Sequence, residues 1–195
     1  STPSIKLNAF VITITTKTFS IEPDVFVQST VNRASKLLSD NISKKEKIEK
    51  LKLIAKDTVD IKGIGFYTLG SIRKTLSEEQ KSKYSELFEE YFLKSFSSRL
   101  AEYTNPEINV FDKEKLNEKY TLVYSVLKAT SERPEIKIDW RIYTKDPDKP
   151  LIRDLIIEGL SLARTQKEEF NSVLQSNNNE INALFETLKN FANEN

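Results

Sequence analysis

Apolar residues recur at intervals of three and four through the first hundred positions of this chain. They switch to intervals of two after residue 106, and return to the helical interval near residue 165. The longest helical stripe runs from Ser77 to Tyr103. Ser77 and Gln80 stand in the register of a capping box, where each side chain meets the other's open backbone N–H. Tyr84, Leu87, Phe88, Tyr91, Phe92, Phe96, Leu100 and Tyr103 then fall on one side of a helix about 39 Å long, uninterrupted by glycine or proline. A stripe so rich in aromatic rings needs a large partner surface. It reads either as ordinary core or as one wall of an apolar cavity.

Three shorter helical patterns precede it. Pro23 suits a first helical position, and Val27, Val31, Ala34 and Leu38 follow on one face until Asp40 and Asn41 break the run. A second helix, Lys44 to Ala55, turns Ile48, Leu51 and Ile54 inward and its lysines and glutamates to water. A third element spans Val59 to Leu69, with Asp60 near its start and Ile61, Ile64 and Leu69 inward. Gly65 inside it permits close packing or a kink, and Gly70 closes it as a left-handed cap.

The period-two region predicts strands at Glu107 to Phe111, Glu118 to Thr130, Glu135 to Lys145 and Leu151 to Leu162. In the third, Ile136, Ile138, Trp140 and Ile142 alternate with Lys137, Asp139 and Arg141, so one face is buried and one wet. The second is apolar on both faces in part, through Leu122, Tyr124 and Val126 against Val123 and Leu127. In the fourth, Gly159 predicts a bulge that turns Leu160 back to the side of Ile157. Phe170, Val173 and Leu174 fit a helix face, and after a break at Asn177 to Asn179 a last helix carries Ile181, Leu184, Phe185, Leu188 and Phe191. Short connections make the strands antiparallel neighbours. The order helices, strands, helices predicts an α+β fold, a curved antiparallel sheet of about four strands with helices packed on one face. Residues 22–192 are expected to form one domain.

Composition narrows the chemistry. With 30 basic and 29 acidic residues the net charge is +1, which argues against nucleic acid as a partner. Cysteine and histidine are absent, which excludes disulfides, thiol catalysis, histidine general bases and most zinc sites, so no metal or catalytic residue is assigned. Glu158 beside Gly159 is a candidate acid, but a strand-end carboxylate paired with Arg164 or Lys167 is the simpler reading. Residues 1–21 are expected to be a leader or a residual signal or tag segment. Their one short apolar run, Ala9 to Ile14, is too short to span a bilayer, and reads as the tail of a secretory signal, an edge strand or a disordered leader.

Four local patterns in fixed order resemble the MlaC, or toluene-tolerance, family of periplasmic phospholipid-binding proteins. They are Asp60 followed by Leu69-Gly70; Ser77-Glu-Glu-Gln80 leading into Phe88 and Leu100 to Tyr103; Asp154 through Glu158-Gly159-Leu160-Ser161; and Phe170. The resemblance covers roughly residues 22 to 190, and departs from the family pattern at Ile72, Pro150 and Arg153. It implies a monomeric periplasmic carrier, secreted by an N-terminal signal and neither an enzyme nor an integral membrane protein. Its cargo would be a phospholipid and it would need no cofactor. Its partners would be an outer-membrane lipoprotein–porin complex and an inner-membrane ABC transporter complex with an MCE-domain ring, between which it would maintain outer-membrane lipid asymmetry.

Physical chemistry suits such a carrier. Hiding the roughly 30 methylenes of two acyl chains is worth about 24 kcal/mol gross, but a bilayer offers the same burial, so net transfer is near zero and release stays open. The expected cavity lining is Phe88, Phe92 and Phe96 from the long helix and Val126, Ile138, Trp140, Ile142, Leu155, Ile157 and Leu160 from the strands, with Ile64 and Leu69 near the mouth. The headgroup is expected in solvent. Two other classes remain open: a cone-shaped α+β enzyme of the ketosteroid-isomerase type, drafting Asp139 and Tyr124, and an adaptor that binds a partner peptide and no small ligand.

Overall fold

The computed structural model describes residues 1–5, 9, 11–13 and 20–194. Part of the expected leader, including Phe10 and Ile14 of its apolar run, lies outside the described residues. Among the described residues, six α-helices and five strands follow in the order α1 (Pro23–Ser39), α2 (Lys44–Thr58), α3 (Ile61–Leu69), α4 (Glu78–Leu100), β1 (Ile108–Lys115), β2 (Tyr120–Leu127), β3 (Ile136–Tyr143), β4 (Leu151–Ile157), β5 (Leu160–Ser161), α5 (Leu162–Gln175) and α6 (Ile181–Asn193). A 3-10 turn, Gly70–Thr75, joins α3 to α4.

Local chemistry sets the helix starts. Pro23 occupies the first turn of α1. Ser43, Asp60, Ser77 and Ser161 each accept a hydrogen bond from a first-turn backbone N–H of the helix they precede. The box at Ser77 is complete in both directions, at 2.9 and 3.1 Å. At the far end of α6, Lys94 reaches from α4 to the last-turn carbonyl of Phe191, 2.7 Å away.

The strands form one antiparallel sheet in the order β1-β2-β3-β4-β5. Register shifts between Val110 and Asp112, and between Arg141 and Ile142, bend it. The expected fourth strand is two. Glu158 and Gly159 both take positive φ, 50° and 82°, and turn the chain back so that Ile157 pairs with Leu160. A two-residue turn of this hand matches the twist of its flanking strands, so the predicted bulge is instead a hairpin. Leu160 does return to the face of Ile157, as expected. Leu162 already begins α5.

Helices cover one face. α1 lies against β1 and β2, and α3 and α5 against β4, while α4 packs on α2, α3 and α6. One core cluster joins the two layers, with Val27, Ile64, Leu69, Tyr84, Phe88, Val123, Trp140, Ile142, Phe170 and Leu188 among its buried members. Leu37, Leu38 and Leu51 make a second, smaller cluster between α1 and α2. The outer edge of β1 is capped by Gln28, whose side chain donates to Ile108 O and accepts from Val110 N–H, which satisfies groups that would otherwise recruit another strand.

Candidate functional site

Inward positions of β2 are Thr121, Val123, Ser125 and Leu127, all buried. Ser125 is tolerated there because its hydroxyl donates to Ile138 O at 2.7 Å and accepts from Trp140 Nε1–H at 2.9 Å. Cross-strand pairing then sets Ile138, Trp140, Leu155 and Ile157 on that same helix-facing surface. The facing aromatic residues stand one helical turn apart on α4. Tyr84, Phe88, Phe92 and Phe96 stack in sequence, with ring centroids 5.9, 6.0 and 5.4 Å apart. Phe170 of α5 meets Phe88 edge-on at 6.3 Å.

Burial falls along this face from one end to the other. At the closed end Ile142, Val123 and Tyr84 have no exposure and Phe88 only 1%. Toward the other end, Phe92 and Phe96 on α4, Ile108 on β1, Ile136 on β3 and Leu155 and Ile157 on β4 are only partly buried against the core. Leu160, directly paired with Ile157, is 58% exposed at the rim. Packing is therefore loosest at the end marked by Phe96, Ile136, Ile157 and Leu160, although Leu127, paired with Ile108 and Ile136, stays only 4% exposed there. Near this end the β2–β3 turn is tied to the loop after α4 by Arg133, whose guanidinium lies 5.5 Å over the Tyr103 ring.

Most of the predicted lining residues share this surface, but not all. Val126 pairs with Lys137 and lies on the opposite, outer face of the sheet. Ile64 and Leu69, expected near the mouth, are packed into the core, 8% and 0% exposed. Ile138, Trp140, Ile142 and Phe88 are full core. Two surface clefts, of about 540 and 490 Å³, lie along α1 and beside the 3-10 turn; of the predicted lining residues only Leu69 borders either.

Motif residues outside the apolar face have structural work. Asp154 accepts from the Ser161 hydroxyl and from Ala163 N–H, 3.0 Å, so it fixes the start of α5 across the hairpin. Asp60 caps α3 through Gly63 N–H and takes Arg153 at 3.0 Å. A Cβ on Gly63 would stand 2.3 Å from the Asp60 carboxylate and 3.0 Å from the Arg153 guanidinium carbon, so glycine there makes room for that pair. Glu158 holds the Lys137 backbone N–H at 2.6 Å, while Arg164 pairs with Glu168 and Lys167 sits over the Tyr67 ring, so the expected Glu158 ion pair with either base is not formed. Asp139, expected on the wet face, does lie on the outer face but is only 8% exposed.

Burial pushes the Tyr84 phenol far above its usual range, against the Thr68 hydrogen bond. Tyr91 is raised by burial and by Glu169. Among the described residues no group of three or more acidic side chains is placed to hold a metal ion, and no helix is long and apolar enough to cross a membrane.

A family model described as MlaC protein matches residues 28–190. The fold is also that of a phospholipid-binding protein from Ralstonia solanacearum solved in complex with a phospholipid. The TM-score is 0.73 at 17% sequence identity, over 88% of this chain and 97% of that one. No curated protein matches the chain.

Proposed function

The chain belongs to the MlaC family, and on that premise we propose that it is a phospholipid carrier and not an enzyme. The observation that carries the reading is the gradient of burial between α4 and the sheet. Phe92, Phe96, Ile136, Leu155 and Ile157 offer an apolar, only partly packed end to a core that is otherwise filled. The phospholipid bound by the Ralstonia protein of the same fold supports the same cargo here. Acyl chains enter at the Leu160 rim and run inward along the aromatic ladder, and the rings of Phe96 and Phe92 swing aside as the tails advance. Phe88, with almost no exposure, forms the inner stop. Filling this space with tails replaces ring contacts by chain contacts, so entry and release are close in free energy.

Within that reading, residues 22–192 act as one lipid-binding domain, and the protein works as a monomer in the periplasm after export by an N-terminal signal. It moves lipid between an outer-membrane lipoprotein–porin complex and an inner-membrane ABC transporter bearing an MCE-domain ring. An isomerase-like site is disfavoured by position. Tyr124 and Asp139 do pair across strands, but on the outer face, away from the helix-covered interior where such a site is enclosed.

The test is denaturing extraction of the purified protein with mass spectrometry of what is released, alongside native mass spectrometry for stoichiometry. About one diacyl phospholipid per chain is the expected result. Protein that carries no lipid and takes none from vesicles overturns the carrier reading.

A further inference from the structure

Outward positions of β2 are Tyr120, Leu122, Tyr124 and Val126, while Thr121 and Ser125 point into the core. A sheet face left to water normally alternates the other way, apolar inside and polar outside. On this strand the uncovered side is at least as apolar as the covered one. Phe111 of β1 extends it: 63% exposed, its ring lies 6.3 Å from that of Tyr124.

Charge changes along this strip: Arg141, opposite Leu122, lies 4.2 Å over the Tyr120 ring with Arg153 at 5.8 Å, whereas the Tyr124 end is acidic. Glu114 accepts the Tyr124 hydroxyl at 2.7 Å. Asp139 is the direct cross-strand partner of Tyr124, and its Oδ1 is shut off from solvent with no hydrogen-bond donor. Asp112 is paired with Tyr124 on the other side. Against these three carboxylates stands Lys137, with its ammonium 3.8 Å from Asp139 and 6.0 Å from the Tyr124 ring. That lysine is largely exposed and occupies the spot an incoming cation would take, over an aromatic face and beside a carboxylate.

We propose that the outer face of the sheet, centred on Tyr124, is a docking surface for a segment of a partner protein that presents lysine or arginine beside aliphatic side chains. Leu122 and Val126 take the aliphatic groups, Tyr124 and Phe111 receive the cation over their rings, and Asp139 and Glu114 supply its counter-charge. A second copy of this chain is a poor occupant of the Tyr124 end, because a two-fold contact centred there sets the three carboxylates against themselves. A membrane surface is poor too, since carboxylates repel anionic lipid. This inference stands apart from the carrier reading and does not require it.

The experiment titrates the full chain at low salt with a synthetic amphipathic helix of lysine and leucine, and with its glutamate–leucine counterpart. The lysine peptide is expected to bind at least about tenfold more tightly, the scale of one charge-assisted contact, and to weaken as salt rises. Glu114→Gln with Asp139→Asn removes that preference. Tyr124→Ala weakens binding, and Phe111→Ser, at a residue too exposed to threaten the fold, does the same. Equal binding of the two peptides, or binding that ignores these substitutions, overturns the proposal. So does self-association in sedimentation, or adsorption to anionic vesicles, that Phe111→Ser abolishes; these outcomes assign the face to a second copy or to a lipid surface.

Discussion

Thr68 of α3 and Tyr84 of α4 are joined hydroxyl to hydroxyl at 2.7 Å, and neither side chain has any exposure. Thr68 spends its single proton on Gly65 O, 2.5 Å away, so the Tyr84 hydroxyl is the donor to Thr68. The junction of α3 with the aromatic helix thus rests on a short chain of buried hydrogen bonds. Tyr84→Phe removes the outer link and leaves no donor stranded, so it costs about 1 kcal/mol in urea unfolding. Thr68→Val strands the Tyr84 hydroxyl and costs more, about 1–3 kcal/mol.

The same burial predicts an alkaline limit. In the unfolded chain the Tyr84 phenol ionises near its ordinary value of 10.0, whereas in the folded protein burial holds it neutral well beyond that. A folded value raised above the unfolded one contributes stability that is complete below about pH 10 and declines as pH rises above it. Unfolding free energy should therefore fall above that pH, and the fall should be shallower in Tyr84→Phe. Phenolate absorbance tracks it directly: one tyrosine should ionise only with loss of structure.

Gly65 of α3 faces the Phe88 ring of α4. A Cβ there would stand 2.7 Å from a ring carbon of Phe88, which is itself packed on every side. Gly65→Ala would ordinarily favour a helix, yet here it should destabilise by about 1–3 kcal/mol through overpacking. Combining it with Phe88→Leu, which vacates that space, should recover part of the loss, read as a rise in thermal midpoint.

Much of this was legible in the sequence, because the signals were local. Ser77 with Gln80 marked the start of α4, the stripe from Tyr84 to Phe96 marked its inward side, and the alternation through Ile136, Ile138, Trp140 and Ile142 oriented β3. The faces of β2 were not legible. Val126 is as apolar as Val123, and only pairing with Lys137 and Trp140, respectively, decides which one turns inward. The hairpin at Glu158 was hidden because a glutamate at positive φ has no sequence signature; only Gly159 hinted at a change of direction. Ile64 and Leu69, expected near the mouth, are buried instead, beside glycines that serve contact between helices and room for Asp60 with Arg153. The Asp154 to Ser161 motif turned out to be a helix start.

That motif gives a separate stability prediction. Ser161→Ala deletes the N-cap of α5 and should cost about 1 kcal/mol. Asp154→Ala also strands Ala163 N–H and the Ser161 hydroxyl, and should cost about 2–3 kcal/mol. Gly159→Ala meets no atom within 4 Å, so its cost is conformational alone, about 1 kcal/mol for a φ of 82°. Chemical denaturation should show Asp154→Ala to be the costliest of the three.

The carrier reading makes its sharpest claim in separating stability from lipid load along the core. Phe88→Ala empties a fully packed site and should cost about 3–5 kcal/mol, enough to threaten folding. Phe96→Ala, at the looser end, should cost less and still change the lipid retained after purification. At the rim, Leu160→Glu should leave stability within about 0.5 kcal/mol, because the side chain is already 58% exposed. Lipid recovered per chain should nevertheless fall, since each passing acyl chain would meet a carboxylate that must be desolvated. Melting curves and extracted lipid, measured on the same preparations, separate the two effects. A Leu160→Glu protein that folds normally and carries a full load would place the entrance elsewhere than between Ile157 and Phe96.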